Sequence, residues 1–127
     1  MLVSTKKMLE KNPKIHLIDP IDVEDMHNLM ARSYLVMTDS GGIQEEAPSC
    51  GIPVVVLRNE TERREAIEAG TVLLAGTKRE DIVREVKLLI EDGVKYQEMA
   101  RAVNPYGDGH ASERIVEALF LYFGGKE

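Results

Sequence analysis

The sequence predicts an α/β protein with a parallel sheet covered by helices on both faces. Two observations carry that prediction. Short apolar runs alternate with segments of helical period along the whole chain, the pattern of strands joined by crossover helices. The chain has 127 residues and no internal repeat, low-complexity tract or linker, so it reads as one domain.

Taken in order, residues 2–11 read as a short helix and Ile15-His16-Leu17-Ile18 as a strand. Asp22 is placed to N-cap a helix over 23–32, with Val23, Met26, Leu29 and Met30 on one face. A strand over 34–38 leads into a glycine-rich turn and a helix over 42–50. A strand over 53–57, a helix over 62–69 and a strand over 71–74 follow. Thr77-Lys78-Arg79-Glu80 fits a capping box opening a helix that runs to 92 and is ended by Gly93. A further helix spans 94–103, a loop holds 104–110, and a last helix covers 111–123.

Composition narrows the function classes. An apolar fraction of 43% with 30% charged residues is ordinary for a globular protein. The net charge of −6, with no basic cluster longer than two residues, argues against nucleic acid or an anionic membrane surface as partner. No apolar stretch is long enough for a signal peptide or a membrane span. The single cysteine, Cys50, cannot form an internal disulfide and points to a reducing, cytoplasmic location.

The most informative stretch is Thr38-Asp39-Ser40-Gly41-Gly42-Ile43-Gln44-Glu45-Glu46-Ala47-Pro48-Ser49. A strand that ends in a small glycine-rich turn and opens a helix presents unpaired backbone N–H groups to an anion, and the helix dipole favours negative charge there. Gly41 and Gly42 let a ligand approach the backbone closely, and Ser40 adds a hydroxyl donor. One turn further on, a carboxylate of Glu45-Glu46 can accept hydrogen bonds from sugar hydroxyls. The pattern suits a nucleoside diphosphate, although such a turn is equally often a plain strand-to-helix connection. Ligands in parallel sheets bind at the carboxyl ends of the strands, which brings the loop 58–61 and Arg63 near the same turn. Arg63 can contact phosphate through charge-assisted bonds; spacing alone favours the plainer reading of a solvated helix residue, like Arg64. Adjacent helical residues diverge in direction, which makes Glu45-Glu46 a poor catalytic pair. His16, His27 and His110 have no clustered Cys or carboxylate partners, so no metal site is expected. His27 and His110 are read as exposed.

The whole string resembles the non-hydrolysing UDP-N-acetylglucosamine 2-epimerases. Further blocks agree in order and spacing: Gly51-Ile52-Pro53-Val54-Val55-Val56-Leu57-Arg58, Thr61-Glu62-Arg63-Arg64-Glu65-Ala66, Gly70-Thr71-Val72 and the closing Asn104-Pro105-Tyr106-Gly107-Asp108-Gly109. The resemblance covers roughly residues 10 to 123. It implies a Rossmann-like domain, the C-terminal half of a glycosyltransferase-B type fold lacking its first strand, whose acid/base carboxylates lie in an N-terminal domain that this chain does not carry. It further implies UDP binding by Ser40, Gly41, Gly42 and Arg63 at the diphosphate and Glu46 at the ribose. Met26 stands where the family commonly has an aromatic residue beside the uracil; as a polarisable thioether it can take that role, or it can be a core methionine.

The intact family enzyme interconverts UDP-N-acetylglucosamine and UDP-N-acetylmannosamine by elimination and re-addition of UDP, with no cofactor or metal. The expected ligand here is UDP or a UDP-N-acetylhexosamine, with no epimerisation by this chain alone. A non-catalytic UDP-sugar-binding remnant and the nucleotide half of a related glycosyltransferase are the other readings. The final helix carries Ile115, Val116, Leu119, Phe120, Leu121, Tyr122 and Phe123 and is apolar nearly all round toward its end. That surface predicts a homo-oligomer, or a separate chain supplying the missing domain.

Overall fold

A computed structural model describes residues 2–124. Its helices are α1 (Leu2–Leu9), α2 (Val23–Ala31), α3 (Gly41–Glu46), α4 (Arg64–Glu68), α5 (Arg79–Glu91), α6 (Gly93–Arg101) and α7 (Ala111–Phe123). Three short strands, β1 (Val36–Thr38), β2 (Val54–Val56) and β3 (Val72–Leu74), form one parallel sheet in the order β1-β2-β3. The register sets Val36 beside Val54 and Val54 beside Val72.

The valines of β2 are fully buried and divide between two cores. Successive strand residues point to opposite faces, so Val54 and Val56 join Met30, Ala47, Ile52, Ala66 and Val72, while Val55 joins Ala75, Leu89 and Met99. The first core places α2, α3 and α4 on one face, and the second places α5 and α6 on the other. A continuous apolar run is what a strand covered on both sides requires. The predicted doubly covered parallel sheet is therefore present.

Aromatic contacts tie the second face to the start of β1. The rings of Tyr34 and Tyr96 stack with centroids 4.3 Å apart. Tyr34 donates its hydroxyl to the Leu89 carbonyl at 3.2 Å, and Tyr96 donates to the Tyr34 carbonyl at 2.8 Å.

Several boundaries differ from the sequence expectation, each for a local reason. Residues 15–18 are not a strand; no described strand lies beside them to take their backbone groups, and an unpaired strand has nothing to hold it. The expected helix over 42–50 is α3 followed by a 3-10 turn, Ala47–Cys50, with Pro48 in its first positions and Gly51 at φ 69° ending it. Proline lacks the N–H that a continuing α-helix would use. The capping box at Thr77 is not formed: Lys78 is the N-cap residue of α5 and makes no side-chain cap bond. Gly93 does not terminate α5 but opens α6. Asp92 separates the two helices, accepting from the N–H groups of Val94 and Lys95 at 3.0 and 3.1 Å. Asp22 caps α2 as expected, accepting from Asp25 N–H at 2.9 Å. The apolar face read for α2 is only half realised: Met30 is buried and Met26 half-buried, but Val23 and Leu29 are exposed. None of the residues of α7 is buried.

Candidate functional site

Ser40 is the N-cap residue of α3, in extended conformation, and its hydroxyl makes no capping bond to the helix. Its own N–H donates to Thr38 Oγ1 at 3.0 Å, which turns the chain sharply at the carboxyl end of β1. The hydroxyl and the first N–H groups of α3 thus stand at the mouth of the sheet.

A buried polar chain connects this turn to the loop after β2. Gln44 is fully buried on α3. Its amide nitrogen donates to the Ser40 carbonyl at 3.2 Å, and its amide oxygen accepts from Thr61 Oγ1 at 2.8 Å. Thr61 Oγ1 in turn accepts from the Arg63 N–H at 3.1 Å. A buried amide must be satisfied on both sides, and satisfying this one fixes the position of Arg63 relative to Ser40. Arg63 is the N-cap residue of α4 rather than a residue within it, as the helix expected over 62–69 would have had it.

The guanidinium of Arg63 lies against the glycine turn. A Cβ built on Gly41 would stand 3.5 Å from Arg63 Nη2 and 3.3 Å from Glu62 Oε1. Arg63 Nε donates to Glu45 Oε1, and Nη1 lies 3.3 Å from Glu62 Oε1. Two carboxylates therefore occupy the arginine at the place where an anion on the helix start would meet it. Glu62 is held below the usual carboxylate range, first by its own backbone N–H and then, against a desolvation that works the other way, by Arg63 and Arg58.

Glu46 closes the other side. Its Oε2 lies 2.9 Å from His27 Nε2, and its Oε1 would be 3.5 Å from a Cβ on Gly42. His27, expected on an exposed face, is half-exposed and turned toward α3. Met26 packs half-buried against the first core, in the same turn of α2 as His27. The loop 104–110 also reaches the site: burial pushes the Tyr106 hydroxyl up, and the neighbouring Glu65 carboxylate adds to that, with Arg63 opposing. An open cleft beside the turn is lined by Asn59, Glu60, Thr61, Glu62, Arg64, Ile67 and Leu74.

Ser40, Gly41, Gly42, Glu46 and Arg63 are thus brought around one helix start, and Met26 stands behind it in the apolar core. Sequence reasoning gave no site role to Gln44, Thr61 or Tyr106 and read His27 only as an exposed residue. Gln44 carried a signal in its spacing: Ser40, Gly41, Ala47 and Pro48, three and four residues away, put it on the small and apolar side of its helix rather than with Glu45. Among the described residues no group of three or more His, Cys, Asp or Glu side chains could hold a metal ion.

The family model for UDP-N-acetylglucosamine 2-epimerase matches residues 2–120. The chain belongs to this family. A Thermotoga maritima protein with the provisional name UDP-N-acetylglucosamine 2-epimerase is 62% identical over 117 residues, covering 92% of this chain and 31% of that protein. A Listeria monocytogenes crystal structure of the same provisional name superposes with a TM-score of 0.94 at 47% identity, over 99% of this chain and 34% of its own. The S. aureus MnaA–UDP co-structure superposes at 0.89 with 49% identity, over 97% and 34% respectively. The chain thus spans about a third of the length of the relatives it matches. Membership of this epimerase family agrees with the Rossmann-like sheet and with the glycine turn at its carboxyl edge. No helix among the described residues is long and apolar enough to cross a membrane.

Proposed function

We propose that residues 1–127 form the UDP-binding, C-terminal part of a UDP-N-acetylglucosamine 2-epimerase. The observation that carries this reading is the approach of Arg63 Nη2 to Gly41 beside the uncapped Ser40 hydroxyl, in a chain of this family. The diphosphate sits on the N–H groups of Gly41 and Gly42, takes a hydrogen bond from Ser40 Oγ and draws Arg63 away from Glu45 and Glu62. Exchanging carboxylate for phosphate keeps the guanidinium paired throughout, so binding does not strand a charge. Glu46 accepts from the ribose hydroxyls, and Met26 lies on the side of the base.

In the epimerase reaction UDP leaves C2-inverting substrate and returns to it, so donors fixed around the diphosphate stabilise the charge that develops on the departing oxygen. Ser40, Gly41, Gly42 and Arg63 supply those donors. Without ligand, Glu45 is paired with Arg63 and Glu46 with His27. The family resemblance assigns proton transfer at the sugar to carboxylates of an N-terminal domain rather than to these residues. We place the protein in the cytoplasm, in keeping with its free, half-buried Cys50.

Calorimetric titration with UDP tests the reading. Saturable binding is expected, weakened roughly ten- to hundred-fold by Arg63→Ala and less by Ser40→Ala, the range for loss of hydrogen bonds to a charged group. A folded chain that takes up no UDP at millimolar concentration would overturn it.

The reading extends to a partner surface. The exposed face of α7, with Val116, Leu119, Phe120 and Phe123, supports self-association or docking by a chain that supplies the catalytic domain. Sedimentation at micromolar concentration should show a species larger than the monomer, and a clean monomer would count against self-association.

A further inference from the structure

The geometry points to His27 as the residue that positions Glu46 for the ribose, an inference that rests on the UDP-binding reading above. Glu46 ends α3 with its side chain half-exposed, where a glutamate on its own samples several rotamers and gains little from holding one. Here one carboxylate oxygen is held. His27 Nε2 lies 2.9 Å from Oε2, leaving Oε1 directed over Gly42, the glycine beside the phosphate turn. Among the described residues no other side-chain hydrogen bond to the Glu46 carboxylate is seen.

Both ends of the pair are anchored in the same core. Met26, next to His27, packs against the cluster that contains Ala47, next to Glu46, and Met30 one turn on is buried in it. The separation of His27 from Glu46 is therefore set by close-packed backbone rather than by two mobile side chains. The imidazole fixes which oxygen faces the ligand and in which direction. A ribose diol meets a carboxylate already oriented, which lowers the ordering cost of each hydrogen bond it makes. His27 touches no part of the nucleotide in this scheme and acts only through Glu46.

A merely structural histidine would alter affinity for any ligand of the site alike. A positioning histidine alters only the part that depends on the ribose hydroxyls. The test is titration with UDP and with its 2′,3′-dideoxy analogue, using the unaltered chain, His27→Ala, His27→Gln and Glu46→Ala. The unaltered chain should prefer UDP, and Glu46→Ala should erase that preference. His27→Ala should reduce the preference by about five-fold, the worth of roughly one hydrogen bond, with affinity for the dideoxy analogue unchanged. His27→Gln, which still offers an N–H to Oε2, should restore most of it.

Full preference retained in His27→Ala, or equal weakening of both ligands, overturns the positioning role and leaves the UDP reading standing. Absence of any preference in the unaltered chain removes the ribose role of Glu46 and the inference with it. Absence of UDP binding removes the parent reading itself.

Discussion

Strand β2 and helix α7 are both strongly apolar, and the molecule treats them in opposite ways. Val54, Val55 and Val56 are wholly out of solvent, whereas Phe120 is 73% and Leu121 77% exposed. The difference lies in what each has for neighbours. β2 is hydrogen-bonded on both sides and covered above and below, so every methyl group has a packing partner. α7 follows the loop 104–110, to which it is tied by the pairing of Arg114 with Asp108 of that loop, and the apolar residues of its second half are exposed. Apolar content says that a segment is to be buried; it does not say whether by its own chain.

The largest expected effect compares one leucine from each kind of environment. Leu89→Ala, in the second core beneath Val55, should cost about 2–5 kcal/mol in urea unfolding. Leu121→Ala should stay within about 0.5 kcal/mol at concentrations where the chain is monomeric. Equal costs would mean that α7 is packed in solution and the contrast is false. A smaller effect separates backbone demands in the same way. Gly51 ends the 3-10 turn at φ 69°, and a Cβ there meets only Ala100 O, at 3.6 Å, so Gly51→Ala is opposed by conformation rather than by crowding and should cost about 1–2 kcal/mol. Gly93 opens α6 with open space around it, and Gly93→Ala should stabilise by about 0.5 kcal/mol. Thermal melts of the two variants check the signs.

How much was legible in the sequence follows the same division. The three strands, the turn at Ser40 and the helix 111–123 could be read because each is specified locally, by short apolar runs, by glycines and by a long apolar segment after a Gly-rich loop. The apolar run at 15–18 looked no different from β1, yet forms no strand, since pairing depends on a neighbour that local sequence does not describe. The site shows this most clearly. Ser40, Gly41, Gly42, Glu46 and Arg63 were put forward from chemistry and resemblance. What holds them together is the buried chain from Arg63 through Thr61 and Gln44 to Ser40, and His27 beside Glu46. Those contacts join α3 to residues 17 to 19 positions away, and no periodicity announces them. The fully engaged state of Arg63, with Glu45 and Glu62 on it, was likewise invisible, because a charge run does not tell which carboxylate turns inward.

The smallest effect probes the joint between the two regions. Asp108 is held below its ordinary value of 3.8, first by the Arg114 guanidinium, which pairs with both carboxylate oxygens, and then by the His110 N–H. A carboxylate whose folded pKa is depressed contributes stability that is complete above its unfolded value and disappears as pH falls through the folded one. Lowering the pH from about 5 toward about 2 should therefore loosen the root of α7, while carboxylate-free β2 has nothing of its own to lose in that window. Because Asp108 and Arg114 are both exposed, the effect is confined to local order and weakens with added salt. Amide exchange read residue by residue gives the test. Amides at the start of α7 should lose protection across that range before those of Val54–Val56, and Asp108→Asn should flatten the response at 111–115 while leaving β2 unchanged. Simultaneous loss in both regions would show that α7 shares the cooperative core after all, and that its exposed face is held by more than one ion pair.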